Sequence, residues 1–125
     1  MPIDVNRIAS DRVILACFYG EITLEDIRQN VQTVEGYLDE AQEITHMIIQ
    51  MEDVTHYPWN IKEIYQAMAV KSAHPRLGWL IACGMNKPMA FTVSVISQLT
   101  STKIRTFATL EAGLAFLKQH DFTLS

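Results

Sequence analysis

The sequence predicts an α/β fold, in which a mixed sheet of about five strands is packed against about four helices. Three observations support this prediction. Two strand-like runs, Ile3–Ile8 and Val13–Tyr19, are separated only by a turn signal, as in an antiparallel hairpin. From Thr23 onward, helix-like and strand-like segments alternate, and right-handed crossovers make strands that are joined by helices parallel. The 125 residues, of which 49% are hydrophobic, are enough for the core of one domain spanning residues 1–125.

The first half of the chain predicts a helix and a central strand after the hairpin. Gly20 ends the second hairpin strand, and Thr23 can cap a helix that has Glu25 and Asp26 in its first turn. Apolar residues then recur at three- and four-residue spacing and form one stripe, made of Leu24, Ile27, Val31, Val34 and Leu38. The next run, His46–Met51, is short, apolar and rich in isoleucine, which favours a strand that is covered on both faces.

A second helix is predicted to begin at Asn60. Asn60 and Glu63 have the spacing of a capping box, and Trp59 and Ile64 have the spacing of a hydrophobic staple. Apolar residues that follow at helical spacing favour a buried face for this helix.

His74 and Arg76 flank a proline between this helix and the next strand. Pro75 lacks an N–H and disfavours helical geometry at the preceding residue, so the helix is expected to end by about Ala73. The next strand is predicted at Leu77–Cys83, which places the two polar residues at its amino end. Ligands of open α/β sheets bind at the opposite edge. We therefore interpret His74 and Arg76 as connection residues without a functional role.

The last third of the chain predicts two more helices and one more strand. The β-branched residues of Phe91–Leu99 favour a strand, but the spacing of its apolar residues also fits one helix face, and we predict a helix. Lys103–Phe107 is predicted to be a short strand, and Thr109 is predicted to cap the last helix.

Composition and charge argue against several classes of function. The net charge is −4 and the ten Lys and Arg residues are scattered, which argues against a nucleic-acid partner. No signal peptide is expected, and no apolar run approaches the roughly 20 residues that span a bilayer. Cys17 and Cys83 lie in apolar runs and predict buried thiols rather than a disulfide framework. We expect a reduced, cytoplasmic protein.

The familiar signatures of catalysis and metal binding are absent from the sequence. There is no GxSxG, GxGxxG, phosphate loop, HExxH or Cys-x-x-Cys motif. Glu52 and Asp53 are adjacent, so on a strand their side chains point to opposite faces and do not form a general acid/base pair. The sequence therefore predicts neither an enzyme nor a bound cofactor or metal.

Two predicted loops at the carboxyl edge of the sheet form the candidate binding surface. The first leads into a helix N-terminus, where exposed N–H groups gather, and the second follows the adjacent strand. Aromatic and titratable side chains in the first loop, and methionines in the second, are suited to recognition. The candidate residues are Thr55, His56, Tyr57, Trp59, Asn60, Met85, Asn86, Lys87 and Met89. The alternative is a structural role, in which Trp59 staples the helix and the other apolar side chains fill the core.

The segment MIIQMEDVTHYPWNI, Met47–Ile61, together with the order of the elements, resembles the STAS domain, the fold of bacterial anti-sigma-factor antagonists of the SpoIIAA type. The resemblance covers most of the chain. The turn at Gly20–Thr23 and the segment Thr109–Leu117 are similar to divergent members of that group. The resemblance implies a STAS-like domain. Family members often form dimers or bind partner proteins, and some related domains bind apolar ligands.

The phosphorylation switch of the STAS family is not carried over by this resemblance. In the family, an Asp-Ser-Ser-Gly turn precedes a helix, and a partner kinase phosphorylates its serine. Here Pro58, Trp59, Asn60 and Ile61 occupy that position, and Thr55 lies several residues too early. The resemblance therefore implies the fold without the switch.

The sequence is compatible with two functions of different classes. The first is a non-catalytic regulatory or protein-interaction module that uses the loops Thr55–Asn60 and Gly84–Met89. Its partners would be a second copy of the chain, bound through Ile3–Ile8 and residues 91–99, and a regulatory protein. The second is a carrier of a small apolar ligand, with a pocket between sheet and helices. That pocket would be lined by Met68, Met85, Met89, Phe91 and Phe107.

Overall fold

The structure is a computed structural model that describes residues 3–9, 11–58, 60–68, 74–99, 103–121 and 123–124. Within these residues, five strands form one mixed sheet in consecutive order, together with four helices. The elements are β1 (Ile3–Ile8), β2 (Val13–Glu21), α1 (Leu24–Glu40), β3 (Thr45–His56), α2 (Ile61–Ala67), β4 (Leu77–Cys83), α3 (Lys87–Leu99), β5 (Lys103–Phe107) and α4 (Leu110–His120). β1 pairs with β2 antiparallel, and the later strands are parallel, so the predicted fold class is confirmed.

The central strand β3 is longer than the sequence predicted. β2 continues past Gly20, whose φ of 69° is in the left-handed region that glycine tolerates. Two register shifts keep β2 paired with β3 along this extension. Glu21 pairs with His56, and the Ile22 N–H donates to the carbonyl of His56 at 2.8 Å. Thr55 and His56 were predicted in a loop. That prediction is wrong, because the continued β2 supplies a parallel partner for them.

Three of the helices lie on one face of the sheet. α1, α2 and α3 each connect a strand to its next neighbour, always in the same direction across the sheet, and right-handed crossovers then place them on the same side. There, Val34 and Leu38 of α1 pack with Phe18 of β2. α4 covers the opposite face, where Leu117 packs with Ile81.

Gly113 allows α4 to approach β4 closely. A Cβ atom at this position would lie 2.9 Å from Cγ2 of Ile81 and 3.1 Å from Sγ of Cys83, which is closer than ordinary contact. Both side chains are fully buried. Glycine is a poor helix former, so its presence in α4 is explained by this close packing.

The predicted helix starts are confirmed at three caps. The side-chain oxygens of Thr23, Asn60 and Thr109 each accept the N–H of the residue three positions later, at 3.1 Å. Residues 91–99 are helical within α3, as predicted. Trp59, with its predicted staple contact, and residues 69–73 lie outside the described residues.

A largely buried ionic cluster joins the C-terminal segment to the amino edge of the sheet. The Arg12 guanidinium lies 3.1 Å from the carboxylate of Asp121 and 2.9 Å from that of Glu43. His46 Nδ1 accepts the Trp79 N–H at 2.9 Å, which leaves the ring proton on Nε2. Nε2 then donates to Asp121 at 2.8 Å. One carboxylate therefore connects the β1–β2 turn, β3 and the residues after α4.

We expect Asp121→Asn to lower the free energy of unfolding by about 2 kcal/mol at neutral pH, because it removes charge-assisted bonds in a mostly buried position. Hydrogen bonds from Thr123 and His46 lower the pKa of Asp121 from 3.8 to about 2. A lowered pKa stabilises the fold above the unfolded-state value, and this stabilisation is lost as the pH falls from 3.8 to about 2. In urea unfolding, the difference in the free energy of unfolding between wild type and variant should be largest at about pH 6 and should decrease toward pH 2.

Glu43→Gln is the matched control, because the Glu43 side chain is 66% exposed and an exposed ion pair contributes little. This account of the cluster is contradicted if Asp121→Asn is as stable as the wild type. It is also contradicted if the stability difference between the two does not decrease in acid.

Candidate functional site

A cavity of about 200 Å³ lies between the sheet and helices α1, α2 and α3. Side chains that β2, β3, β4 and β5 direct to this face form its floor, and the three helices form its walls. The floor includes Phe18, Met47, Met51, Leu80, Ala82 and Ile104. The walls include Val34, Ile64, Met89 and Ile96. The cavity is therefore an apolar space between the layers of the fold.

The cavity is consistent with the sizes of the elements around it. α2 has only seven residues, so it covers a short length of the sheet. Ala82 of β4 lines the same cavity, is only 3% exposed and presents a single methyl group. A short helix and a small side chain at the same cavity leave space that neighbouring side chains do not fill.

Few polar side chains line the cavity. Among the described residues they are Asn30, Glu35, Tyr57, His74 and Thr92. Burial raises the pKa of the Tyr57 hydroxyl, and a hydrogen bond with Thr92 opposes that shift. The Thr92 hydroxyl also donates to the carbonyl of Pro88 at 3.1 Å. Glu35 is exposed at the surface.

His74 lies at the amino end of β4, where the sequence placed it, and it has more contacts than that interpretation implied. Its Nδ1 accepts the N–H of Arg76 at 3.0 Å, and its carbonyl accepts the N–H of Leu77 at 3.0 Å. The proton is then on Nε2, which donates to Asp39 of α1 at 2.7 Å. The residue therefore joins α1 to β4, and it also lines the cavity.

The second segment predicted for the binding surface begins close to β3. A Cβ atom at Gly84 would lie 2.5 Å from the side-chain oxygen of Gln50 and 3.0 Å from Glu52. Tyr57 and Met89 line the cavity. The structure thus brings one candidate residue from each segment to the same site.

The other candidate residues that the structure describes do not line the cavity. The side chains of Thr55, His56, Asn60, Asn86 and Lys87 are exposed. Asn60 caps α2, and the side chain of Asn86 accepts the N–H of Met89 at 3.0 Å at the start of α3. Met85 lies in a separate depression beside Phe107, and Trp59 lies outside the described residues.

The predicted pocket lining is only partly correct. Met68 and Met89 line the cavity, but Met85, Phe91 and Phe107 do not. Phe107 is three residues from Ile104 in β5, and strand alternation therefore directs the two side chains to opposite faces. Phe91 is 65% exposed on the outer side of α3. Strand alternation could have identified the floor residues, whereas a list of large apolar residues could not.

The thiols of the chain are poor nucleophiles. Burial raises the pKa of Cys83 to about 11, and it also raises the pKa of Cys17. Both groups are therefore protonated at neutral pH. In the part of the chain that the structure describes, no three His, Cys, Asp or Glu side chains are grouped to hold a metal ion. No helix among these residues is long and apolar enough to cross a membrane.

Two solved structures share this architecture. One is an uncharacterized protein from the DUF3478 family, with a SpoIIAA-like fold, from Shewanella loihica PV-4. It matches with a TM-score of 0.66 and 16% sequence identity, and the match covers 92% of this chain and 91% of that chain. The other is the anti-sigma factor antagonist SpoIIAA in its unphosphorylated form, with a TM-score of 0.53 at 15% identity, over 93% and 97% of the two chains.

The fold is SpoIIAA-like. The resemblance drawn from Met47–Ile61 and from the element order is therefore confirmed for the fold. No protein-family model and no curated protein matches the sequence.

Proposed function

We propose that this SpoIIAA-like chain is a non-catalytic module that binds a small apolar molecule between the sheet and helices α1, α2 and α3. The cavity of about 200 Å³ is the observation that carries the proposal. Protein interiors are packed so closely that voids larger than a water molecule are few. An apolar cavity of about 150 Å³ is enough to bind benzene, so this one suits a molecule somewhat larger than benzene.

The energetics of empty space support an occupant. Apolar side chains that face unfilled space lack packing partners on that side, which destabilises the folded state relative to a filled site. A ligand that fills the space recovers part of this free energy, so binding stabilises the folded state.

The lining supports binding rather than catalysis. Tyr57 and Thr92 are hydrogen-bonded to each other, and His74 is bonded to Asp39, so these groups orient one another instead of activating a nucleophile. Tyr57 and Pro58 line the cavity, and by the resemblance to the STAS family Pro58 is the first residue of the segment that replaces the switch turn. We propose that occupancy of the cavity, rather than phosphorylation of this segment, sets the state of the module.

Filling the cavity with a larger side chain should weaken ligand binding. We expect the wild type to bind toluene in isothermal titration calorimetry, and Ala82→Leu to weaken that binding at least tenfold, because the added atoms occupy the floor. Val93→Phe, on the α3 wall, should have the same effect from the opposite side. Circular dichroism and urea unfolding establish that each variant is folded, since overpacking typically costs about 1–3 kcal/mol.

Ala115→Leu is the matched control, because Ala115 is exposed on α4, across the sheet from the cavity. It should leave toluene binding unchanged. The proposed function would be overturned if the wild type does not bind toluene. It would also be overturned if Ala82→Leu and Val93→Phe are folded and bind toluene as well as the wild type does.

A second candidate function is self-association through the outer face of α3. Phe91 is 65% exposed and Leu99 is 54% exposed, and with the half-buried Val95 they follow one another at four-residue spacing. Such a stripe of large apolar side chains is typical of a surface that another chain covers. We propose a homodimer in which two α3 helices meet, with a regulatory protein as the alternative occupant.

We expect Phe91→Glu to shift the protein toward the monomer in sedimentation velocity at micromolar concentration, because two carboxylates would meet at the contact. Gln119→Glu adds the same charge at an exposed position of α4 and should leave the distribution unchanged. A wild type that is monomeric throughout, or a Phe91→Glu variant with the wild-type distribution, contradicts a dimer through this face.

A further inference from the structure

Asn30 is a polar residue on the buried side of α1. It lies three residues after Ile27 and four before Val34, within the stripe that faces the sheet. Its side chain is buried, with 7% of the residue exposed, and it lines the cavity. Among the described residues, its side-chain oxygen Oδ1 has no hydrogen-bond partner.

An acceptor buried in this way is unfavourable for the empty protein. The large majority of buried side-chain polar atoms in proteins are hydrogen-bonded, because leaving one unpaired forfeits its hydration. The hydroxyls of Tyr57 and Thr92 are bonded to each other, and the His74 ring is bonded to Asp39. Among the described lining residues, the Asn30 amide is therefore the buried polar group with capacity for a ligand.

The charge of the lining limits the chemistry of that ligand. Among the described lining residues, Glu35 and His74 are the ionisable groups besides the Tyr57 phenol, and no Lys or Arg is present. Glu35 is exposed at the surface, and His74 already donates to a carboxylate. A ligand carboxylate would lose its hydration and find no cation in return. An uncharged polar group avoids this loss.

We infer that the occupant is an uncharged, mostly apolar molecule, somewhat larger than benzene, with one hydroxyl or N–H group that donates to Asn30 Oδ1. The inference rests on the proposed function and specifies the class of its ligand. A hydroxyl is well suited, because it can also accept from the amide nitrogen of the same side chain.

Three para-substituted toluenes of similar shape test the inference by calorimetry: p-cresol, p-xylene and 4-methylbenzoate. In the wild type, p-cresol should bind at least tenfold more tightly than 4-methylbenzoate. The ratio of the p-xylene and p-cresol dissociation constants should fall about tenfold or more in Asn30→Leu, because the variant removes the acceptor for the hydroxyl. Asn30→Ala, which leaves more space, should lower the same ratio.

Gln29→Leu is the matched control, since it removes an amide from the neighbouring exposed position of α1 and should leave the ratio unchanged. Without ligand, Asn30→Leu should raise the urea midpoint, because it replaces an unpaired polar group with an apolar one.

The possible failures are distinguishable. Three results would overturn the inference about Asn30 and leave the cavity proposal intact. The first is an unchanged ratio of dissociation constants in folded Asn30 variants that still bind p-xylene. The others are wild-type binding of 4-methylbenzoate as tight as that of p-cresol, and a lowered urea midpoint for Asn30→Leu. A wild type that binds none of the three overturns both.

Discussion

The consecutive order of the five strands determines how the rest of the molecule is arranged. Since each parallel strand lies beside its predecessor, three crossover helices cover one face and only α4 is left for the other. α4 covers its face by close contact, which Gly113 permits, and the cluster around Asp121 fixes the segment that follows it. On the three-helix face, the short α2 and the small Ala82 leave a cavity. The two faces therefore differ, one being closely packed and the other having space for a ligand.

The fold was predictable from the sequence because its signals are local. Thr23, Asn60 and Thr109 mark helix starts through hydrogen bonds to N–H groups three residues away, and apolar spacing marks the buried faces. The length of β3 was not predictable in this way. Thr55 and His56 join the strand because β2 continues beside them, which is a tertiary pairing.

The candidate site was predicted only in part, because a cavity depends on how deeply three helices pack rather than on any motif. Tyr57 and Met89 were identified from their segments, whereas the floor residues follow from strand alternation. Asn30 is the residue that the sequence analysis missed, although a signal existed. The predicted stripe of α1 runs through Ile27, Val31 and Val34, and an asparagine beside it on the same helix face is a polar group directed toward the core.

The central claim is that the space between the sheet and α1, α2 and α3 takes up a ligand, and methionine methyl NMR tests it most directly. Met47, Met51, Met68 and Met89 line the cavity, and Met85 lies outside it. In protein labelled with ¹³C at the methionine methyl groups, titration with p-cresol should shift the signals of the four lining residues and leave that of Met85 in place. Four unmoved signals, or a shift confined to Met85, would contradict the account.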